Sequence, residues 1–139
     1  MTRFNITMDQ AVDLIFRALK NAKGGELFVP KLKAYQLGDM KDAILELLDA
    51  KNEVTRISVR PGEKYHESLI SKDEIRNTYE TQKDYILFEE QTQHHTLGDI
   101  KSIKKADLID KYSSDKVELL TKNELKDILL AENLFQLSD

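Results

Sequence analysis

Apolar residues recur at helical spacing in three parts of the chain, and two of these parts follow a sequence typical of a helix N-terminus. Residues 7–10 and 121–124 each form a capping box, in which a Thr hydroxyl and a Gln or Glu three positions later satisfy free backbone N–H groups. Gly24–Gly25 ends the first predicted helix, and the second is predicted from Leu37 to near residues 51–52. The first helix has the apolar positions Ala11, Val12, Leu14, Ile15, Ala18, Leu19 and Ala22.

Short strands are predicted between and after these helices. Glu26–Val29 is a strand that Pro30 ends, residues 54–59 alternate between apolar and polar side chains, and Tyr85–Phe88 is interpreted as an edge strand. A further capping box at 71–74 predicts a short helix. The alternation of helices and strands indicates an α/β fold, whose strands need each other or another sheet to be covered.

The chain divides by polarity near residue 90. From about residue 89 to residue 105 it is polar and weakly periodic, which is typical of a linker or flexible loop. We therefore predict a first region over 1–90 and a polar linker with a C-terminal helical extension over 91–139. The length of 139 residues is enough for one modest core.

Composition limits the classes of partner. Apolar residues make up 40% of the chain and charged residues 33%, which is ordinary for a soluble globular protein. The net charge of −4 provides no general attraction to nucleic acid or to an anionic membrane. We expect neither partner, and any anion site must be local.

Metal sites and membrane spans are also not expected. Cysteine is absent, which excludes disulfides and thiolate ligands. His94 and His95 are adjacent, and neighbouring side chains on extended backbone point in opposite directions, so they form a poor chelate. No apolar run is long enough for a bilayer and the N-terminus has no signal-peptide pattern, so a cytoplasmic location is the default expectation.

The segment from Arg60 to Glu67 carries the most specific chemistry. An arginine at the end of a predicted strand is followed by Pro61–Gly62, which fixes a turn and holds a planar cation where a phosphate or carboxylate can reach it. Glu63 would repel the same anion, so its natural partner in a nucleotide site is a pair of ribose hydroxyls. The alternative is a solvated Arg–Glu pair on a surface loop, worth about 0 to 1 kcal/mol.

Several ordered motifs resemble one enzyme family. They are Met1–Phe4, Gln10–Asp13, Gly24–Lys31, Arg60–Glu67 and Arg76–Glu80. Together they resemble the C-terminal part of UDP-N-acetylglucosamine 4,6-dehydratases, which are extended short-chain dehydrogenase/reductases that make capsule, O-antigen and flagellin-glycan sugars. The resemblance covers about residues 1–90, and Tyr112-Ser113-Ser114 with the last helix resembles the end of the same proteins. It implies a small mixed α/β substrate-binding lobe of such an enzyme, without the Rossmann half.

The resemblance also implies which residues bind substrate. Arg3 and Arg60 would contact the diphosphate of a UDP-sugar, Pro61 and Gly62 would shape the loop, and Glu63 would accept hydrogen bonds from the uridine ribose. Two forked guanidinium groups suit adjacent phosphates.

Two further residues are candidates for the site, and one residue departs from the family pattern. Lys64 and His66 are second-rank candidates near the phosphates. Asn5 replaces the aromatic residue that the family has after Arg-Phe, which puts the sugar-facing contacts of the first strand in question.

The catalytic half of the family pattern is not found in this sequence. The five glycines, at 24, 25, 38, 62 and 98, form no GxGxxG turn for a dinucleotide. Tyr79 and Lys83 have the spacing of a Tyr-x-x-x-Lys pair, but they lie in the segment that resembles Arg-Asn-Thr-Tyr-Glu, so we interpret the spacing as coincidence. We predict no catalytic residue in this chain and no activity for it alone.

In the full-length enzyme the resemblance implies bound NAD(P) that takes hydride from C4 and returns it to C6 after water leaves across C5 and C6. We expect no cofactor on this chain by itself. The expected partners are a UDP-sugar and further copies of the chain, and whether C5 is inverted stays open. The alternative interpretation is a non-enzymatic interaction or self-association module.

Overall fold

The structure is a computed structural model that describes residues 1–88 and 103–135. In these ranges the strands are β1 Thr2–Phe4, β2 Leu27–Pro30, β3 Ala34–Gln36, β4 Ser68–Ile70, β5 Thr78–Glu80, β6 Asp84–Leu87, β7 Lys104–Lys105 and β8 Tyr112–Ser113. The helices are α1 Met8–Asn21, α2 Leu37–Leu47 and α3 Lys122–Ala131, with a 3-10 turn at Glu74–Asn77. The predicted small mixed α/β fold is confirmed. No helix in the described ranges has the length and apolar character that a bilayer crossing needs.

The chain forms two compact units. Among the described residues, the first contains 1–7, 33–67 and 114–135, and the second contains 8–32, 68–88 and 103–113. The predicted boundary at residues 90 and 91 lies outside the described residues, as do His94 and His95.

The core of the first unit lies between α2 and α3. It contains Ala43, Leu120, Leu125 and Leu129, with further apolar side chains around them. The capping box predicted before α3 is present: the Glu124 N–H donates to the Thr121 hydroxyl over 3.3 Å, and the Thr121 N–H donates to the Glu124 carboxylate over 2.8 Å. The apolar stripe of α2 is therefore covered by a neighbouring helix of the same unit.

The first strand of this unit has partners on both sides. β1 pairs with β3 antiparallel, which places Arg3 opposite Tyr35. On its other side the Thr2 N–H donates to the Tyr65 carbonyl over 3.0 Å, and Thr2 forms a parallel bridge with His66. The segment around residues 60–67 is thus held next to the N-terminal strand.

The second unit contains an antiparallel sheet in the order β2-β6-β5-β7. Ile86 and Phe88 are buried on it, and the Tyr79 ring meets the Phe88 ring edge-on at 5.4 Å. Tyr85–Phe88 was expected to be an edge strand, and this was wrong. β6 is an interior strand because its backbone pairs with β2 on one side and β5 on the other.

Part of the predicted linker is also structured. Lys104 and Lys105 form β7 against β5, while residues 89–102 lie outside the described residues. The Lys104 ammonium lies 3.0 Å from the Glu80 carboxylate, and the Lys105 ammonium lies over the Tyr79 ring at 4.7 Å. Polar side chains can occupy a strand when the neighbouring strand offers an opposite charge or an aromatic face.

The strand predicted at residues 54–59 is not formed. This segment has no strand pairing within the described residues, and Val54, Ile57 and Val59 are exposed. Alternation of apolar and polar side chains predicts a strand only where a second strand and a covering layer are available. The described residues of the first unit supply neither at this position.

Only the Glu74 half of the predicted capping box at 71–74 is present, and the helix after it is one turn of 3-10 helix whose N-cap is Asp73. Glu74 accepts hydrogen bonds from both the backbone and the hydroxyl of Ser71, over 2.7 and 2.6 Å, and these bonds lower its pKa. The chain then enters β5 at Thr78, which ends the turn.

Candidate functional site

A tight turn at residues 60–63 is the centre of the candidate site. The Glu63 N–H donates to the Arg60 carbonyl over 3.0 Å, and the Arg60 N–H donates to the Glu63 carboxylate over 3.1 Å. Gly62 has a φ of 84°, in the left-handed region that favours glycine, and Pro61 precedes it as in a type II turn. The Pro-Gly pair therefore shapes this loop for local backbone reasons.

The Arg3 side chain is held close to this turn. Its guanidinium donates to the Thr2 carbonyl over 2.8 Å and to the Tyr65 carbonyl over 3.4 Å. Its Nε lies 3.4 Å from the Glu67 carboxylate, and a terminal nitrogen lies 4.0 Å from the Glu63 carboxylate. The structure thus places Arg3 beside both carboxylates of the 60–67 segment.

Arg60 is joined to Arg3 through Glu63 rather than directly. One Glu63 oxygen accepts from the Arg60 backbone and the other faces Arg3. The Arg60 and Lys64 side chains are exposed, and neither makes an ion pair or side-chain hydrogen bond with the described residues 1–88 and 103–135. Their charges are therefore not neutralised by a direct partner in these ranges.

A buried hydroxyl pair fixes the backbone behind these side chains. The hydroxyls of Thr2 and Ser114 are 2.7 Å apart, and the Thr2 hydroxyl is 2.8 Å from Nδ1 of His66. Ser114 also accepts from the Glu67 N–H over 2.9 Å, and its own N–H donates to the Glu67 carbonyl over 2.8 Å. Sequence reasoning did not assign Ser114 to the site, although Tyr112-Ser113-Ser114 was part of the family resemblance.

A pocket of about 370 Å³ adjoins the turn. Arg60 and Glu63 provide its charged part, and most of the other walls are apolar. It is lined by Met1, Leu37, Ile57, Ser58, Val59, Arg60 and Glu63. Its volume lies near the lower end of the range for small-molecule pockets, and a mainly apolar wall with a few polar groups is typical of them.

The second unit has its own charged cluster, whose members form ion pairs with each other. Arg17 makes two parallel 2.7 Å hydrogen bonds to Asp84, which is 2% exposed, and these raise the pKa of Arg17. Glu80 accepts from Lys31 over 2.6 Å and pairs with Lys104, and both contacts lower the pKa of Glu80. Such pairs fix strands and helices, and each cation of this cluster already faces a carboxylate, unlike Arg60 and Lys64.

The described residues do not fit two other kinds of site. No group of three or more His, Asp or Glu residues in these ranges is arranged to hold a metal ion. Gly24 and Gly25 lie between a helix and a strand, and Gly38 lies within α2, so none of them is in a glycine-rich turn that leads from a strand into a helix. That turn is what a dinucleotide pyrophosphate needs.

Comparisons with known proteins identify chains with a similar sequence or a similar fold. The chain is 30% identical to UDP-glucose 4-epimerase of Rickettsia massiliae over 137 residues, which is 98% of this chain and 40% of that protein. It is 35% identical over 95 residues to an uncharacterized membrane protein of Methanocaldococcus jannaschii, covering 63% of this chain and 28% of that one. The crystal structure of Pen from Bacillus thuringiensis superimposes with a TM-score of 0.80 at 30% identity, covering 96% of this chain and 38% of that chain.

These matches support a region of the extended short-chain dehydrogenase/reductase type that corresponds to the C-terminal part of a polysaccharide biosynthesis protein. Residues 1–89 match the model of the family described as polysaccharide biosynthesis protein, and the chain belongs to that family. It spans about two fifths of the length of its Rickettsia relatives.

Proposed function

We propose that this chain is the UDP-sugar-binding C-terminal region of a nucleotide-sugar 4,6-dehydratase that acts on UDP-N-acetylglucosamine in bacterial surface polysaccharide or glycan biosynthesis. The observation that carries the proposal is the arrangement of Arg3, Glu63 and Arg60 around one Pro-Gly turn beside an apolar pocket. Cations for a diphosphate, a carboxylate for a ribose and an apolar pocket for a base are the groups that a nucleoside diphosphate needs.

Each group has a distinct role in this proposal. Arg3 and Arg60 hold the diphosphate, because a forked guanidinium donates two hydrogen bonds to one phosphate. Glu63 accepts from ribose hydroxyls, and its present contact with Arg3 at 4.0 Å is long enough to be exchanged for a ligand. The pocket beside the turn takes the base, while Lys64 and His66 flank the phosphate side.

The contribution of these residues to the reaction is positioning. Binding energy from the nucleotide handle holds the sugar in one orientation, and this reduces the entropy cost of reaching the transition state. The described residues provide no cradle for the dinucleotide that performs the hydride transfer. We therefore propose that the chain alone binds ligand but does not turn it over.

A second candidate reaction is 4-epimerisation. It is favoured by the 30% identity to UDP-glucose 4-epimerase of Rickettsia massiliae across 98% of this chain. Assays of a protein that carries this region and has the relatives' full length would decide between 4,6-dehydration and 4-epimerisation. Incubation with UDP-N-acetylglucosamine and with UDP-glucose, followed by NMR of the products, separates a dehydrated 4-keto sugar from a 4-epimer.

The binding proposal is tested on the chain itself. Ligand-observed NMR with UDP-N-acetylglucosamine should show binding that Arg60→Ala weakens by about tenfold or more, since a charge-assisted contact is lost. Arg56→Ala is the matched control, because Arg56 is an exposed arginine four residues earlier in the same segment. Equal effects of the two substitutions, or none, would contradict the assignment of Arg60.

A further inference from the structure

Glu67 lies against one edge of the Arg3 guanidinium. Its carboxylate is 3.4 Å from Nε of Arg3, so one edge of this guanidinium already faces a negative charge. The site as a whole combines three cations, Arg3, Arg60 and Lys64, with two carboxylates, Glu63 and Glu67. Its net charge is therefore only about +1, and a highly charged anion is not neutralised there.

The backbone of Glu67 is held by hydrogen bonds to Ser114. Its N–H donates to the Ser114 hydroxyl over 2.9 Å, and its carbonyl accepts from the Ser114 N–H over 2.8 Å. Ser114 is fully buried and also hydrogen-bonds Thr2, the residue before Arg3. The same buried serine therefore holds the backbone at both ends of the Arg3–Glu67 pair, which keeps the Glu67 carboxylate within reach of Arg3.

We propose that Glu67 is a specificity-determining residue that makes the site favour a sugar-capped diphosphate over a free nucleoside diphosphate. This inference rests on the proposed function. In a nucleotide sugar each phosphate is a diester with a charge of about −1, whereas the terminal phosphate of UDP is a monoester with a charge of about −1.5 to −2 at pH 7. The carboxylate of Glu67 beside Arg3 repels this additional charge, and the sugar-capped ligand does not carry it.

The experiment measures the dissociation constants of UDP and UDP-N-acetylglucosamine by NMR titration at low salt and at pH 8, where the monoester is fully ionised. Glu67→Gln keeps the shape of the side chain and its backbone contacts but removes the charge. We expect this substitution to tighten UDP binding by roughly three- to tenfold and to tighten UDP-N-acetylglucosamine binding clearly less, because the extra charge interacts over several ångströms in a partly solvated site. The difference should shrink at high salt.

Two control variants test whether the effect comes from the charge at Glu67. Glu118→Gln removes a carboxylate of the same unit that pairs with Lys33 at 2.7 Å, away from the candidate site, and should leave the ratio of the two constants unchanged. Glu67→Asp keeps the charge and should retain the wild-type preference. A thermal melt of each variant confirms that it folds.

The outcomes separate the two proposals. If both ligands bind and Glu67→Gln does not change their ratio, or if Glu118→Gln changes it equally, the inference about Glu67 is overturned while the binding site stands. If neither ligand binds the wild-type chain or any variant, the proposed function itself is overturned and the inference fails with it.

Discussion

At the scale of single residues, Ser114 is a buried serine whose hydroxyl has several hydrogen-bond partners. Its hydroxyl accepts from the Glu67 N–H, donates to the Thr2 carbonyl and contacts the Thr2 hydroxyl. We predict that Ser114→Ala lowers the free energy of unfolding by about 1–3 kcal/mol, because buried polar groups lose their partners. Ser58→Ala, at an exposed position of the same unit, should change stability by less than about 0.5 kcal/mol.

Urea denaturation measures both values. Equal stability of Ser114→Ala and wild type would show that water or another group replaces the hydroxyl. The Ser114 hydroxyl would then not be needed to hold the backbone of Glu67 beside Arg3. The prediction is therefore also a check on the geometry behind the candidate site.

At the scale of elements, the contact between α2 and α3 should depend on pH. Glu46 of α2 accepts hydrogen bonds from Lys122 and Lys126 of α3, and these lower its pKa to about 2. A carboxyl with a depressed folded pKa stabilises the fold above its unfolded pKa, which is near 4.3, and this contribution is lost as the pH falls through about 2. We predict a falling urea midpoint between pH 5 and pH 2.

The variant Glu46→Gln isolates this effect. It should be less stable than wild type at pH 6, and the difference should become small near pH 2, where Glu46 in the wild-type chain becomes protonated. A constant difference across this range would mean that the two lysines do not stabilise the carboxylate in solution.

The apolar face of α1 is exposed, whereas that of α2 is covered by α3. Its exposed side chains are Met8, Val12, Ile15, Phe16 and Leu19. We predict concentration-dependent self-association through this face, because exposed apolar stripes of this kind favour association. Phe16→Glu should reduce it in multi-angle light scattering, whereas Ile109→Glu, at an isolated position that is 95% exposed, should not. A wild-type chain that stays monomeric at high concentration would contradict this prediction.

At the scale of the whole molecule, the share of its relatives' length that the chain spans bears on the affinity we propose for it. The chain corresponds to 40% of the length of the Rickettsia massiliae relative and to 38% of Pen. A ligand held by one wall of a cleft buries less surface than one held between two, so we predict that the chain binds UDP with a dissociation constant weaker than micromolar. Titration calorimetry measures it, and micromolar or tighter binding would mean that this region holds most of the nucleotide site.

Local features of the sequence were sufficient for the starts of α1 and α3 and for the turn at the site. The end of α2 was predicted wrongly: the helix ends at Leu47 rather than near residues 51–52, and Asp49, two residues later, has a left-handed φ of 47°. The capping box before α3 and the Pro-Gly turn at residues 61–62 depend on contacts within three or four positions, which the sequence places side by side. The same holds for the start of α1 close to the predicted box. Features whose cause is local could therefore be predicted before the fold was known.

Features that depend on distant partners could not be predicted in this way. The segment 54–59 has strand-like alternation, but the described residues provide no partner strand, while Lys104 and Lys105 resemble a linker and form a strand. Strand pairing joins residues far apart in sequence, so alternation alone does not identify the partner or show that one exists.

The sequence by itself determined the broad family, the capping box of α3 and the residue types of the candidate site, because these depend on order and short-range spacing. Only the tertiary structure decided that Arg3 faces Glu63 and Glu67, and that Ser114, more than a hundred residues from Thr2, holds both sides of that contact. The physical reason is that a buried hydroxyl must find its hydrogen-bond partners wherever the packed chain brings them, and packing is a property of the whole fold.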